Sequence, residues 1–237
     1  MNTLPLCTGP LCTGPLRTGP IRTGLVTLLA LAMTACAVEV EHVLAPDAHG
    51  LVVDADTLTP VQGAQVRFEA LTGSLASMTD EAGRFSLDGR TEMRRVMPAV
   101  GGVYRDASRV HASASGYETG YSSAAFINGL GPAQAEFPVI VMLFPQGADE
   151  PDLARLMADC LETPEQRHAV QIAARLAELD RETLPGWLDT EAALGLEEHI
   201  SLVLQSSLLL GCEQTQAAHE TLQGHLSAFR AAAGIGE

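Results

Sequence analysis

The chain is 237 residues long, 46% hydrophobic, 18% charged and only 4% aromatic, which suits one or two globular domains and leaves little material for an aromatic binding platform. Its 29 acids face 14 basic residues, all of them arginine, for a net charge of −15. The lack of lysine excludes a Schiff-base lysine, a P-loop lysine and a polybasic lipid-binding patch, and the acidic balance excludes nucleic acid, whose phosphates need clustered Lys and Arg.

Four near-copies of a five-residue unit open the chain: LCTGP, LCTGP, LRTGP and IRTGL. Pro and Gly at this spacing forbid a helix and leave a strand no alternation. The stretch reads as an unstructured leader, or as upstream sequence included by an early start codon. Arg17 and Arg22 then precede an apolar run of about 11 residues, Leu25 to Ala35. A membrane-spanning helix needs roughly 20. The positive flank, short apolar core and small residues at its end predict a secretory signal peptide over residues 1–35.

The end of that run, Leu31-Ala32-Met33-Thr34-Ala35-Cys36, resembles a bacterial lipoprotein lipobox, with Met33 standing where Leu is commonest. The resemblance implies cleavage before Cys36, a diacylglycerol on its sulfur and a membrane-anchored protein of the cell envelope. Ala37 after Cys36 favours the outer membrane under the enteric sorting rule. Two or three acyl chains, at about 0.8 kcal/mol per buried CH₂, hold such a protein stably at a membrane surface. Cleavage removes Cys7, Cys12, Arg17 and Arg22, which leaves a charge of about −17. Cys160 and Cys212 then remain in an oxidising compartment, as a disulfide or as two buried thiols; the compartment favours the bridge.

Residues 36–48 read as the lipidated cysteine and a tether, whose AVEVEHVLAPDA spans at most about 40 Å when extended. From His49 to residue 145 short β-rich runs alternate with turn signals: HGLVVDA, AQVRFEA, SLASMT, GRFSLDG, SRVHASA, ETGYSSAAF and FPVIVMLF. Val66 and Phe68 alternate with Gln65, Arg67 and Glu69, the period of a half-buried strand. Seven such runs predict a two-sheet antiparallel sandwich.

These motifs resemble the carboxypeptidase regulatory-like domain, a transthyretin-type fold. Its G-x-V-x-D strand corresponds to Gly50, Val52 and Asp54, and its P-V-x-G-A-x-V segment to Pro60, Val61, Gly63, Ala64 and Val66. Its T-D-x-x-G-x-F turn corresponds to Thr79, Asp80, Gly83 and Phe85, and its closing G-Y to Gly116 and Tyr117. The chain departs from the pattern between Gly89 and Ser108, where RTEMRRVMPAVGGVYRDA is longer than the usual link. The resemblance implies an immunoglobulin/transthyretin-like sandwich and a non-catalytic module. Such modules accompany metallocarboxypeptidases and recur in outer-membrane receptors and lipoproteins. The wider superfamily includes starch-binding-like folds, a slender link to carbohydrate.

Catalytic and metal motifs fare poorly. Neither H-x-x-E nor H-E-x-x-H occurs among the seven histidines, which excludes a carboxypeptidase-type zinc site. A di-iron bundle wants two E-x-x-H motifs, and only Glu165 to His168 fits. The Tyr-Arg-Gly-Ser tail of transthyretin-like hydrolases of 5-hydroxyisourate is missing. Gly120-Tyr121-Ser122-Ser123-Ala124 falls one residue short of a nucleophile elbow and lies in a β run rather than a strand-to-helix turn, so Ser122 reads as a solvent-facing strand serine. Asp80 and Glu81 could ligate calcium, but Ca²⁺ wants six to eight oxygens. Asp80 followed by Gly83 is instead the composition of a type I turn.

After Pro145-Gln146-Gly147 the period becomes helical. Leu153, Leu156, Met157, Cys160 and Leu161 make one apolar stripe. Thr163-Pro164-Glu165-Gln166 is a capping box with Pro at N1, opening a helix with Ile172, Leu176 and Leu179 inside. A third helix starts at Thr190, and Gly211 separates it from a fourth carrying Ala218, Leu222, Leu226 and Phe229. Residues 150–232 thus read as a separate small α-helical bundle.

The sequence therefore predicts an α+β chain of two domains, anchored to a membrane through Cys36, without cofactor or metal. Its expected role is non-enzymatic binding or scaffolding of an envelope protein or glycan. One alternative is a carbohydrate-binding accessory protein, which would gather Tyr104, Tyr117, Tyr121 or Trp187 on one face. The other is a hydrolase using Ser122, which would need a histidine and an acid beside it.

Overall fold

The computed structural model describes residues 38–69, 76–96, 104–128 and 133–235. The predicted signal peptide, the lipobox and Cys36 lie outside the described residues. Nine strands precede four helices: β1 (Val38–Ala45), β2 (Ala48–Asp54), β3 (Gln65–Phe68), β4 (Ser77–Met78), β5 (Arg84–Leu87), β6 (Arg90–Val96), β7 (Tyr104–Ser113), β8 (Gly120–Asn128), β9 (Val139–Leu143), α1 (Asp152–Leu156), α2 (Pro164–Ala177), α3 (Thr190–Leu210) and α4 (Thr215–Ala233). They form three sheets in the orders β5-β2-β9, β4-β3-β7-β8 and β1-β6.

The seven runs singled out in the sequence make up the first two sheets. Two strands were not anticipated. β1 occupies most of the stretch read as a tether, and β6 lies in the lengthened link after Gly89. Residues 38–40 and 95–96, the outer ends of these strands, fall in a separate unit, where Arg95 donates to Glu39 at 2.9 Å. In the larger unit Val43 and Ala45 are buried, so that part of β1 is pinned to the fold instead of running free.

The sheets β5-β2-β9 and β4-β3-β7-β8 face each other across one core. Val52, Val66, Phe68, Phe85, Val110 and Val141 all point into it. The alternation of β3 appears as expected, with Val66 and Phe68 buried and Arg67 exposed. The expectation of a wholly antiparallel arrangement needs correction: β9 pairs parallel to β2, Gly50 opposite Val139 through Asp54 opposite Leu143. At Gly50 the backbones approach so closely that a Cβ would lie 1.9 Å from the Val139 carbonyl oxygen, so only glycine fits there.

All five side chains of β9, VIVML, are buried, the continuous apolar run of a strand covered on both faces. Val139, Val141 and Leu143 enter the inter-sheet core. Ile140 and Met142 enter a second core with Leu51, Val53 and the helices. Exposing that second face would forfeit roughly 1.5–3 kcal/mol per large side chain. The helices therefore pack on the sheet as its outer layer and share one unit with it, where the sequence reading drew two separate domains with a boundary near residue 147.

Within the helical layer, Thr163 caps α2 as expected: its hydroxyl accepts from the Gln166 amide and the Gln166 side chain accepts from the Thr163 amide. Gly211 follows α3 with φ of 83°, the left-handed position that closes many helices. The first helix is shorter than its stripe suggested, a five-residue α1 followed by turns through Cys160. Met157, Cys160 and Leu161 are buried all the same. Cys160 and Cys212 form a disulfide with Cα atoms 5.2 Å apart, tying the segment before α2 to the start of α4.

Candidate functional site

Asp80 builds its turn as its spacing suggests. Its carboxylate accepts from the amides of Ala82 at 2.9 Å and Arg84 at 2.8 Å, and its carbonyl accepts from Gly83 at 2.9 Å. Gly83 sits at φ of 72°, with a Cβ position 2.8 Å from the Val52 carbonyl oxygen, and Phe85 then turns into the core. Gly63 and Gly116 also take positive φ.

Asp54 organises a second turn. One carboxylate oxygen accepts from the amides of Asp56 and Thr57 and from the Thr57 hydroxyl, and the other accepts from the Tyr117 hydroxyl at 2.7 Å. Burial alone would raise the Asp54 pKa, but these hydrogen bonds prevail and lower it. The same bond raises that of Tyr117. The helical layer fastens onto this turn from the other side. Arg175 donates to the carbonyls of Ala55 at 2.7 Å and Asp56 at 3.0 Å, and the Trp187 indole donates to Leu58 at 2.8 Å.

The four aromatics weighed as a sugar platform are spread over the molecule. Tyr104 begins β7 opposite Asn128, whereas Tyr121 sits at the far end of that hairpin opposite His111. Tyr117 is fixed to Asp54 and Trp187 to the Leu58 carbonyl. No shared face joins them.

The serine expectation changes too. Ser122 pairs with Val110 in register, points to the inner face of the sheet and is 2% exposed; it does not face solvent. Ser123, on the outer face, meets a histidine: its hydroxyl lies 2.9 Å from His199 Nδ1. Beside it, Arg109 pairs with the buried Glu165 at 3.0 Å and with Glu69 at 3.5 Å. Arg109, Ser123, Thr163, Glu165 and Gln166 line a cleft of about 170 Å³.

This is the most chemically varied cluster among the described residues, yet its histidine is a poor base. Burial, aided by the charge of His168, pushes His199 down to about 3. Its Nε2 is buried with no hydrogen-bond partner, where a triad would place a carboxylate. Burial raises Glu165, opposed by Arg109. Sequence reasoning missed this cluster because its members come from β7, β8, α2 and α3. The only local sign was the odd-numbered polar phase of Tyr121 and Ser123.

A larger groove opens where the helical layer leaves a corner of the β5-β2-β9 sheet uncovered. Its volume is about 580 Å³, within the usual range of ligand pockets, roughly 300–1,000 Å³. Arg84, Leu51 and Ile140 stand in one row across three strands, Leu51 opposite both Arg84 and Ile140 in register. His49 lies one step along β2, and Trp187 and Ala192 close the helical side. The floor and walls are mainly apolar, with Arg84, His49 and Asp189 as the polar groups. In the sequence Arg84 stood out only as a member of the strand run GRFSLDG.

Compared with known proteins, the chain matches no family model, and no curated protein matches it.

Proposed function

We propose that this protein is a cell-envelope lipoprotein, anchored through Cys36, whose folded part is a non-catalytic binding module of carboxypeptidase regulatory-like, transthyretin-type descent. The observation that carries the binding role is the groove between the β5-β2-β9 sheet and the start of α3, apolar in its floor with a few convergent polar groups. The lipobox-like run before Cys36 and the ordered G-x-V-x-D, P-V-x-G-A-x-V and T-D-x-x-G-x-F motifs support the anchor and the module. The carbohydrate alternative lacks a common aromatic face, and the hydrolase alternative has its Ser122 turned into the core.

Two measurements test the proposal. Labelled palmitate should enter the wild-type protein and fail to enter Cys36→Ala; equal labelling would remove the anchor. The small-molecule fraction of an envelope extract should shift the emission of Trp187 in wild type. It should leave Gly186→Phe unmoved, since a Cβ at Gly186 meets no other atom within 4 Å and the added ring has room to enter the groove. An equal response from both would remove the groove from the function.

A further inference from the structure

Among the described arginines, eight pair with carboxylates and Arg67 donates to His111. The guanidinium of Arg84 has no partner among the described residues, in a protein whose net charge is −15. Arg90 and Arg181 share that condition among the described residues, but it is Arg84 that lines the 580 Å³ groove. Its backbone is held firmly, the amide donating to the Asp80 carboxylate at 2.8 Å and the carbonyl accepting from the Asp80 amide at 3.0 Å. A fixed strand position thus presents an uncompensated cation at the edge of an apolar floor.

We propose that the groove takes an organic monocarboxylate with an apolar body, its carboxylate held by Arg84 and His49 and its body lying against Leu51, Ile140 and Trp187. The inference rests on the reading of the groove as the binding site. A planar guanidinium matches a carboxylate with two parallel hydrogen bonds, and His49 supplies a further donor. The strongly acidic protein repels anions in proportion to their charge, which disfavours phosphates and dicarboxylates. Asp189 faces the same groove while its carboxylate caps α3 by accepting from the Ala192 amide at 2.9 Å, and it penalises a second negative group on the ligand.

Trp187 is the sole tryptophan of the chain, so its emission reports on the groove directly. The full chain carrying Cys36→Ala is titrated with decanoate and with decanol. Decanoate should shift the emission saturably and bind about tenfold or more tightly than decanol. Arg84→Ala should weaken decanoate by a similar factor and leave decanol unchanged, while its unfolding midpoint, measured in parallel, stays that of the parent. Equal affinity of the two probes, or an undiminished decanoate affinity in Arg84→Ala, overturns the carboxylate inference. If Gly186→Phe still abolishes both in that case, the groove reading survives alone. If neither probe moves Trp187 in the parent protein, the groove reading falls together with the inference.

Discussion

His168 donates from Nε2 to the carbonyl of Met142 at 2.8 Å, and its Nδ1 accepts from the backbone amide of Tyr121 at 3.3 Å. Met142 lies in β9 and Tyr121 in β8, edge strands of two different sheets that do not pair with each other. One imidazole therefore closes the open side between the sheets, in the single tautomer that both bonds allow. Tyr121 and Phe144 pack edge-on against the ring, with centroids 5.7 and 5.6 Å away.

Replacing His168 by Ala should cost on the order of 3 kcal/mol, because it leaves a buried amide and a buried carbonyl without partners and opens a cavity. Urea unfolding of the variant checks this. A loss within 0.5 kcal/mol, the scale of an ordinary surface substitution, would mean that the bridge contributes nothing.

The same burial sets a pH dependence. Burial pushes His168 down to about 4 and His199 to about 3, against about 6.5 in the unfolded chain. The unfolded state then binds more protons over that interval, so the stability the two groups contribute is complete above pH 6.5 and declines as pH falls toward 4 and 3. Each histidine adds up to about 1.4 kcal/mol per pH unit. The folded-state pKa values of Glu165 and Glu198 are raised by burial and act in the opposite sense, but in parent and variant alike. Unfolding midpoints at pH 7, 5.5 and 4.5 should show a shallower slope for His199→Asn than for wild type. Parallel slopes would show that His199 does not titrate as described.

Reduction should weaken the helical layer. The Cys160–Cys212 bridge spans 52 residues of sequence, a closure worth about 4 kcal/mol in the loop-entropy account. The pair Cys160→Ser and Cys212→Ser, or dithiothreitol on wild type, should lower the unfolding midpoint accordingly. An unchanged melting curve would indicate that the link constrains little.

Asp54 should prove more costly to remove than its exposed neighbours. Asp54→Ala deletes the acceptor of four hydrogen bonds and loosens the turn that Arg175 and Trp187 grip, for an expected loss of about 2–3 kcal/mol. Tyr117→Phe removes one of those bonds and should cost about 1 kcal/mol. Denaturant unfolding of both variants checks the order, and the reverse order would displace Asp54 from the centre of the turn.

Signals complete within a few residues were legible in the chain. The Asp80 to Gly83 turn, the Thr163 capping box, the left-handed glycine after α3 and the in-and-out alternation of β3 each depend on local hydrogen bonds and sterics. The sequence also displayed seven of the nine strands and the cysteine pair. Tertiary structure alone decided the remainder. Val38 to Ala45 and Arg90 to Val96 become strands by pairing with each other, a partnership across more than 40 residues that neither segment reveals. The run GYSSAAF, small on both faces, has no hydrophobic contrast to set its phase, so the register with β7 was needed to turn Ser122 inward and Ser123 toward His199. The apolar run of β9 shows that both faces are covered, but not by what; packing settled that the helices cover one of them. Arg84 gave no sign of a binding role in the run GRFSLDG because the missing carboxylate partner and the apolar floor beside it are properties of the assembled layers, not of the residues on either side.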